Sequence, residues 1–165
     1  MHCPQSILAE TELKNLAAIP YQMSSPAGNA PIIGIFQDSL LGSYRFTRPN
    51  IYFTPREAMN LLMLYPNVNV EKLRKNGDKI SNFDILSQIL PPLTIKYKTK
   101  LFEDDEEYAD SNNVLEIRNG EYIRGQIEKS VLGSTTKGII HRVCNDYGNM
   151  RATEYIDDMQ NIITE

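Results

Sequence analysis

Apolar and polar positions along the chain change period several times, and each change marks an element. After Ser6, an N-cap residue, Leu13, Leu16 and Ala17 share one helical face, which predicts a helix to about Ala18 with Pro20 stopping it. Thr54-Pro55-Arg56-Glu57 is a capping box with proline at the first helical position. Behind it Ala58, Leu61, Leu62 and Tyr65 recur at helical spacing up to Pro66, so a second helix is predicted there. Residues 67–78 carry little signal and read as a variable connection. Ser81 then caps a third helix bearing Ile85, Leu86 and Ile89, which Pro91-Pro92 ends.

From Leu93 the period becomes two. Leu93, Ile95, Tyr97 and Leu101 alternate with Lys96, Lys98 and Lys100, the signature of a half-buried strand with a basic outer stripe. Asn119-Gly120 predicts a type I′ hairpin, because both residue types accept the positive φ that turn requires. It pairs Val114–Arg118 with Glu121–Gly125 and sets Arg118 opposite Glu121 and Ile117 opposite Tyr122. The turn-prone Gly133–Gly138 leads into a helix with Ile139, Ile140 and Val143, stopped at Gly148. A last helix runs from Arg151 with Ala152, Tyr155, Ile156, Met159, Ile162 and Ile163 on one face. The expected class is α+β, with short antiparallel strands and a hairpin packed with several helices, in one domain over residues 1–165.

The segment Ser25–Gly42 differs from all of these. Turn formers (Pro26, Gly28, Asn29, Pro31) open it, an apolar run comes next, and Gln37 and Asp38 then stand inside hydrophobic sequence. Read as a buried strand, the segment requires partners for both, since an unsatisfied buried polar group costs about 1–3 kcal/mol. A pair that merely ties down a neighbouring turn meets that requirement.

Composition narrows the chemistry. The 165 residues carry a net charge of −4, which argues against a free-standing nucleic-acid binder that relies on neutralising phosphates. No apolar run is long enough to cross a membrane, and no basic-then-apolar leader opens the chain, so no membrane contact is expected. Cys3 and Cys144 are too few for a disulfide framework. A zinc set of His2, Cys3, His141 and Cys144 has the right donor types but sets His2 directly beside Cys3, a poor chelating pair. The acidic run Glu103–Glu107 has no ordered ligand spacing and reads as a solvated loop. Gly133–Gly138 lacks the Gly-Lys-Ser/Thr ending of a phosphate loop, and neither Gly-x-Ser-x-Gly nor His-Glu-x-x-His occurs. The residues themselves therefore offer no catalytic group, metal or cofactor site.

Three ordered motifs point to a family. Met1-His2-Cys3-Pro4-Gln5-Ser6, the run Ser25-Pro26…Asn29…Pro31…Gly34-Ile35…Gln37-Asp38…Leu40…Gly42, and Gly125-Gln126-Ile127-Glu128-Lys129-Ser130-Val131-Leu132-Gly133-Ser134 with Gly138-Ile139-Ile140-His141 resemble the largest subunit of multisubunit DNA-directed RNA polymerases. The likeness is nearer the archaeal, eukaryotic and large-DNA-virus versions than the bacterial one, and it falls on the pore domain (domain 3) just after the catalytic aspartate loop. It implies a part in DNA-templated transcription by a nucleotidyltransferase whose Mg2+ is held outside this chain. It further implies that the chain is cut from a longer subunit at both ends and is inactive alone. Implied partners are the second-largest subunit, the remainder of the largest, DNA, the RNA 3′ end and nucleoside triphosphates in the pore, and a transcript-cleavage factor. The implied location is the nucleus, or cytoplasm and virion for a viral source.

By the same resemblance Lys129, Asn29 and Gln37 line the pore, while His2, Asp38 and Gly42 support the active centre. Lys129 sits where the family carries a pore-facing cation, although an exposed lysine at a strand end has the same sequence appearance. Ser130 replaces a second lysine frequent in eukaryotic members. Asp38 is expected to accept hydrogen bonds from a turn, Gly42 to serve backbone curvature or a positive φ, and His2, although it matches the family's histidine, reads first as a satisfied buried histidine. An alternative is a free-standing non-catalytic paralogue that binds polymerase or a transcription factor.

Overall fold

The computed structural model describes residues 3–74, 77–99 and 111–165. In chain order these form α1 (Ile7–Asn15), a 3-10 turn at Ile19–Tyr21, β1 (Ser24–Ser25), β2 (Ala30–Pro31), α2 (Gln37–Phe46), β3 (Tyr52–Phe53), α3 (Pro55–Leu61) and α4 (Val70–Arg74). Next come β4 (Ile80–Ser81), α5 (Asn82–Ile89), β5 (Ile95–Lys98), β6 (Val114–Arg118), β7 (Glu121–Arg124), α6 (Lys129–Leu132), α7 (Ile139–Tyr147) and α8 (Asn149–Thr164). Small antiparallel sheets packed with helices make the fold α+β. Two of the sheets are strand pairs, β1 with β2 and β3 with β4, and the third has the order β5-β6-β7.

The hairpin forms as its turn residues dictate. Asn119 and Gly120 stand at φ 47° and 79°, and the register sets Ile117 opposite Tyr122 and Arg118 opposite Glu121. Thr54 and Glu57 close the expected capping box on α3, and Ser81 with Asp84 forms another on α5. The apolar face of α5 (Ile85, Leu86, Ile89) shares the core with Leu115, Ile117 and Tyr122 of the sheet, and Tyr122 stacks on Phe83 at 5.2 Å between ring centres. To the same core α7 contributes Ile139, Ile140 and Val143, and α8 contributes Ala152, Tyr155 and Met159. The sheet also buries a carboxylate: Glu116 lies in register between Lys96 and Arg124, and it pairs with Arg118 and with Arg124 (2.6 Å).

Several expectations are corrected. The segment read as a buried strand becomes α2 from Gln37 onward, because Leu40, Ser43 and Phe46–Thr47 recur at helical spacing and turn inward together. Gln37 and Asp38 are exposed on its first turn. The first helix stops at Asn15 rather than Ala18, and it buries nothing, with Ile7 83% and Leu8 78% exposed. The helix after Thr54 ends at Leu61, and the connection at 67–78 contains α4, whose Leu73 is buried. Strand β5 is confined to Ile95–Lys98, while Lys100, Leu101 and the acidic run Glu103–Glu107 lie outside the described residues. The second hairpin strand stops at Arg124, since Gly125 leaves the ladder at φ 111°.

Candidate functional site: a groove between helix α2 and residues 127–129

On α2, positions 37, 40, 41 and 44 have the i, i+3, i+4, i+7 spacing of one helical face. That face forms one wall of a groove of about 320 Å³, with Ile127, Glu128 and Lys129 as the other. The opposite side of α2 is committed to packing. A Cβ built on Gly42 would stand 2.4 Å from Ile163 Cγ2 of α8, so glycine lets the two helices approach. Gly42 has no positive φ, and the predicted backbone role gives way to this steric one.

The second wall reaches the first through backbone geometry. At Gly125 a side chain would meet Leu115 Cα at 2.4 Å, and φ is 111°, so only glycine turns the chain here. Two residues on, the chain is fastened to the buried Thr47, which ends α2. The Thr47 hydroxyl accepts from the Ile127 amide (2.9 Å) and donates to the Ser43 carbonyl (2.9 Å). Farther along, the Ile35 amide donates to the Leu132 carbonyl at 2.9 Å. A Cβ on Gly34 would meet the Ser134 nitrogen at 2.8 Å, so the two backbones lie in near contact.

The groove lining is largely apolar (Leu40, Leu41, Ile127) and its polar groups are few. Lys129 opens the short helix α6, is exposed and has no partner among the described residues; it is not at a strand end. Glu128 accepts from the Ser130 hydroxyl. Burial, and then the negative charge of Glu128, hold the Tyr97 phenol well above its usual range. Gln37 adopts φ 54°, a left-handed conformation uncommon for a residue of its type. The Tyr44 ring carries the Arg48 guanidinium 5.6 Å from its centre.

Of the residues singled out in the sequence, Gln37 and Lys129 come together here. Asn29 does not: it sits exposed in the β1–β2 turn at φ 44°. Asp38 accepts no hydrogen bond among the described residues, because it projects into solvent from the first turn of α2, where its charge suits the helix dipole. His2 lies outside the described residues. His141 and Cys144 are buried in α7, with the His141 Nε2 3.0 Å from the Asn145 amide nitrogen. No group of three His, Cys, Asp or Glu side chains gathers as a metal site among the described residues. Sequence reasoning missed Tyr44, Leu41 and Ile127 as groove residues. Their signal was the helical spacing from Gln37, hidden while the segment was read as a strand.

Comparison with known proteins places the chain in a family. Residues 22–165 match the family described as RNA polymerase Rpb1, domain 3. The chain is 30% identical over 168 aligned residues to the DNA-directed RNA polymerase II subunits RPB1-A and RPB1-B of Trypanosoma brucei brucei, with 99% of this chain and 9% of theirs covered. It is 33% identical to DNA-directed RNA polymerase subunit 1 of Acanthamoeba polyphaga mimivirus, with 100% of this chain and 10% of the relative covered. The chain thus spans about a tenth of the length of these relatives. Through that match over most of its length, this chain belongs to the family of RNA polymerase Rpb1 domain 3, a region of the largest polymerase subunit.

Proposed function

We propose that the chain serves DNA-templated RNA synthesis as the pore domain of a polymerase largest subunit, and that the α2/127–129 groove is part of its pore surface. The observation that carries this reading is the meeting of Gln37 and Lys129, which come from separate motifs, on one groove. A flexible ammonium with no partner among the described residues suits transient contact with triphosphates or with the phosphates of an extruded RNA 3′ end. Asn29, Asp38 and Gly42 contribute elsewhere: Gly42 by fixing α2 against α8, Asp38 and Asn29 as exposed polar groups for neighbouring parts of the enzyme.

No three His, Cys, Asp or Glu side chains gather among the described residues, and no step of phosphoryl transfer is assigned to them. In this reading the metal and its aspartates belong to the rest of the subunit, DNA and the second-largest subunit are contacted by the assembled enzyme, and the isolated chain adds no nucleotides. Its location is that of the polymerase, in the nucleus or, for a viral source, in cytoplasm and virion.

The test is Lys129→Glu in the reconstituted polymerase. Rescue of backtracked complexes by a transcript-cleavage factor should slow by about tenfold or more, because a charged contact in a partly dry site is worth about 1.5–3 kcal/mol. Promoter binding should stay unchanged, and the defect should shrink as salt rises. A variant rescued like wild type at low salt would make Lys129 an ordinary surface lysine.

A further inference from the structure

We infer that Tyr44 is a base-stacking residue, and that the groove takes one nucleotide unit of single-stranded RNA with its base on the Tyr44 ring and its phosphate on Lys129. This rests on the pore reading and adds a residue that no sequence motif marks. The groove combines the three chemistries a nucleotide offers to be recognised by. Apolar lining from Leu40 and Ile127 offers a surface to a flat base, an aromatic ring provides the stacking surface, and Lys129, without a partner among the described residues, supplies a cation.

Tyr44 suits the role better than a freely turning surface tyrosine. It is half-buried on α2, and the Arg48 guanidinium one turn later packs over its ring at 5.6 Å, so ring and cation restrain each other. Little rotamer freedom then remains to be lost on stacking. The exposed Arg48 has no acidic partner among the described residues and adds a second positive charge beside the ring. Stacking tolerates all four bases, which a surface that meets every transcript requires. Gln37 adds an amide at the same wall, where its left-handed backbone sets the exit of the side chain from the first turn of α2.

The experiment measures binding of the purified chain to a short oligoadenylate and to the abasic oligomer of equal length, with backbone amide shifts locating the contact. Wild type should bind the oligoadenylate about fivefold or more tightly than the abasic strand, the factor expected from one stacked base. Tyr44→Ala should reduce oligoadenylate binding to the abasic level, Tyr44→Phe should retain the difference, and Lys129→Glu should weaken both strands. Thermal midpoints of the variants separate lost contact from lost fold. If both strands bind equally, and Tyr44→Ala changes neither while Lys129→Glu weakens both, the stacking role is overturned and the pore cation stands. If Lys129→Glu changes neither strand, the stacking proposal falls together with the reading on which it rests.

Discussion

Gly42 shows how one missing side chain positions a whole face. It sits in the interior of α2 without a positive φ, yet any Cβ there collides with Ile163 of α8. Gly42→Val should therefore destabilise the protein by about 1–3 kcal/mol through overpacking, visible as a lowered thermal midpoint. Because the collision is with a single side chain, Gly42→Ala combined with Ile163→Ala should recover part of the loss. Equal midpoints for wild type and Gly42→Val would remove the steric account. Ser39→Ala, which deletes a hydroxyl without a partner among the described residues, should change little. At this scale the sequence was legible where the chemistry is local. Asn119-Gly120 announced its turn because positive φ is a property of those two residues. Gly42 announced only that something was special, because its reason lies on a helix far along the chain.

Elements respond to the same chemistry according to what they bury. Ser6 and Ser81 both cap helices, accepting from the Ala9 amide (3.2 Å) and the Phe83 amide (3.2 Å). Helix α5 behind Ser81 carries core residues, whereas α1 behind Ser6 carries none. Ser81→Ala should thus lower global stability by about 0.5–2 kcal/mol, measurable by denaturant titration. Ser6→Ala should reduce far-ultraviolet helicity slightly and leave the denaturation midpoint in place. A matching midpoint shift for Ser6→Ala would mean that α1 belongs to the cooperative unit. The helices with capping boxes or strong apolar periodicity (α3, α5, α7, α8) were readable, and so were the ends marked by local chemistry: Thr54 and Ser81 cap α3 and α5 and Gly148 stops α7, whereas α3 closes at Leu61, short of Pro66. Helix α4 was not, because five residues with one buried leucine are too short to show a period. The groove suffered most: α2 was hidden by the continuous apolar run that leads into it, and with α2 went Tyr44.

The molecule as a whole should weaken in acid. Hydrogen bonding from Arg124, then Arg118, holds the Glu116 carboxyl below its usual range, Lys72 does the same for Glu121, and the Thr54 backbone and hydroxyl for Glu57. For each, the folded state favours the ionised form, so the stabilisation is full above the unfolded value and is lost as pH falls through the lower folded one. Asp158 has the opposite sign: desolvation raises it, and its protonation on acidification favours the fold. Among the described residues, three lowered carboxyls against one raised predict a thermal midpoint that declines through and below the ordinary carboxylate range. Glu116→Gln should lower the midpoint at neutral pH and flatten the acid decline. A variant with the wild-type pH profile would show that the buried clamp on the sheet adds nothing to stability.

Thr47 has a mechanical consequence. The bonds that tie together the segments carrying the two groove walls, Ile127 to the Thr47 hydroxyl and Ile35 to the Leu132 carbonyl, end on buried residues. Widening the groove means breaking bonds that have no water to replace them, so its width is tied to the stability of the fold. The amides of Ile35 and Ile127 should accordingly exchange with solvent only at the rate of global unfolding, far slower than those of α1. Faster, local exchange at either amide would mean that the walls part independently. Exchange at the global rate would mean that the backbone spacing across the groove is set by the core, leaving only its exposed side chains free to adjust.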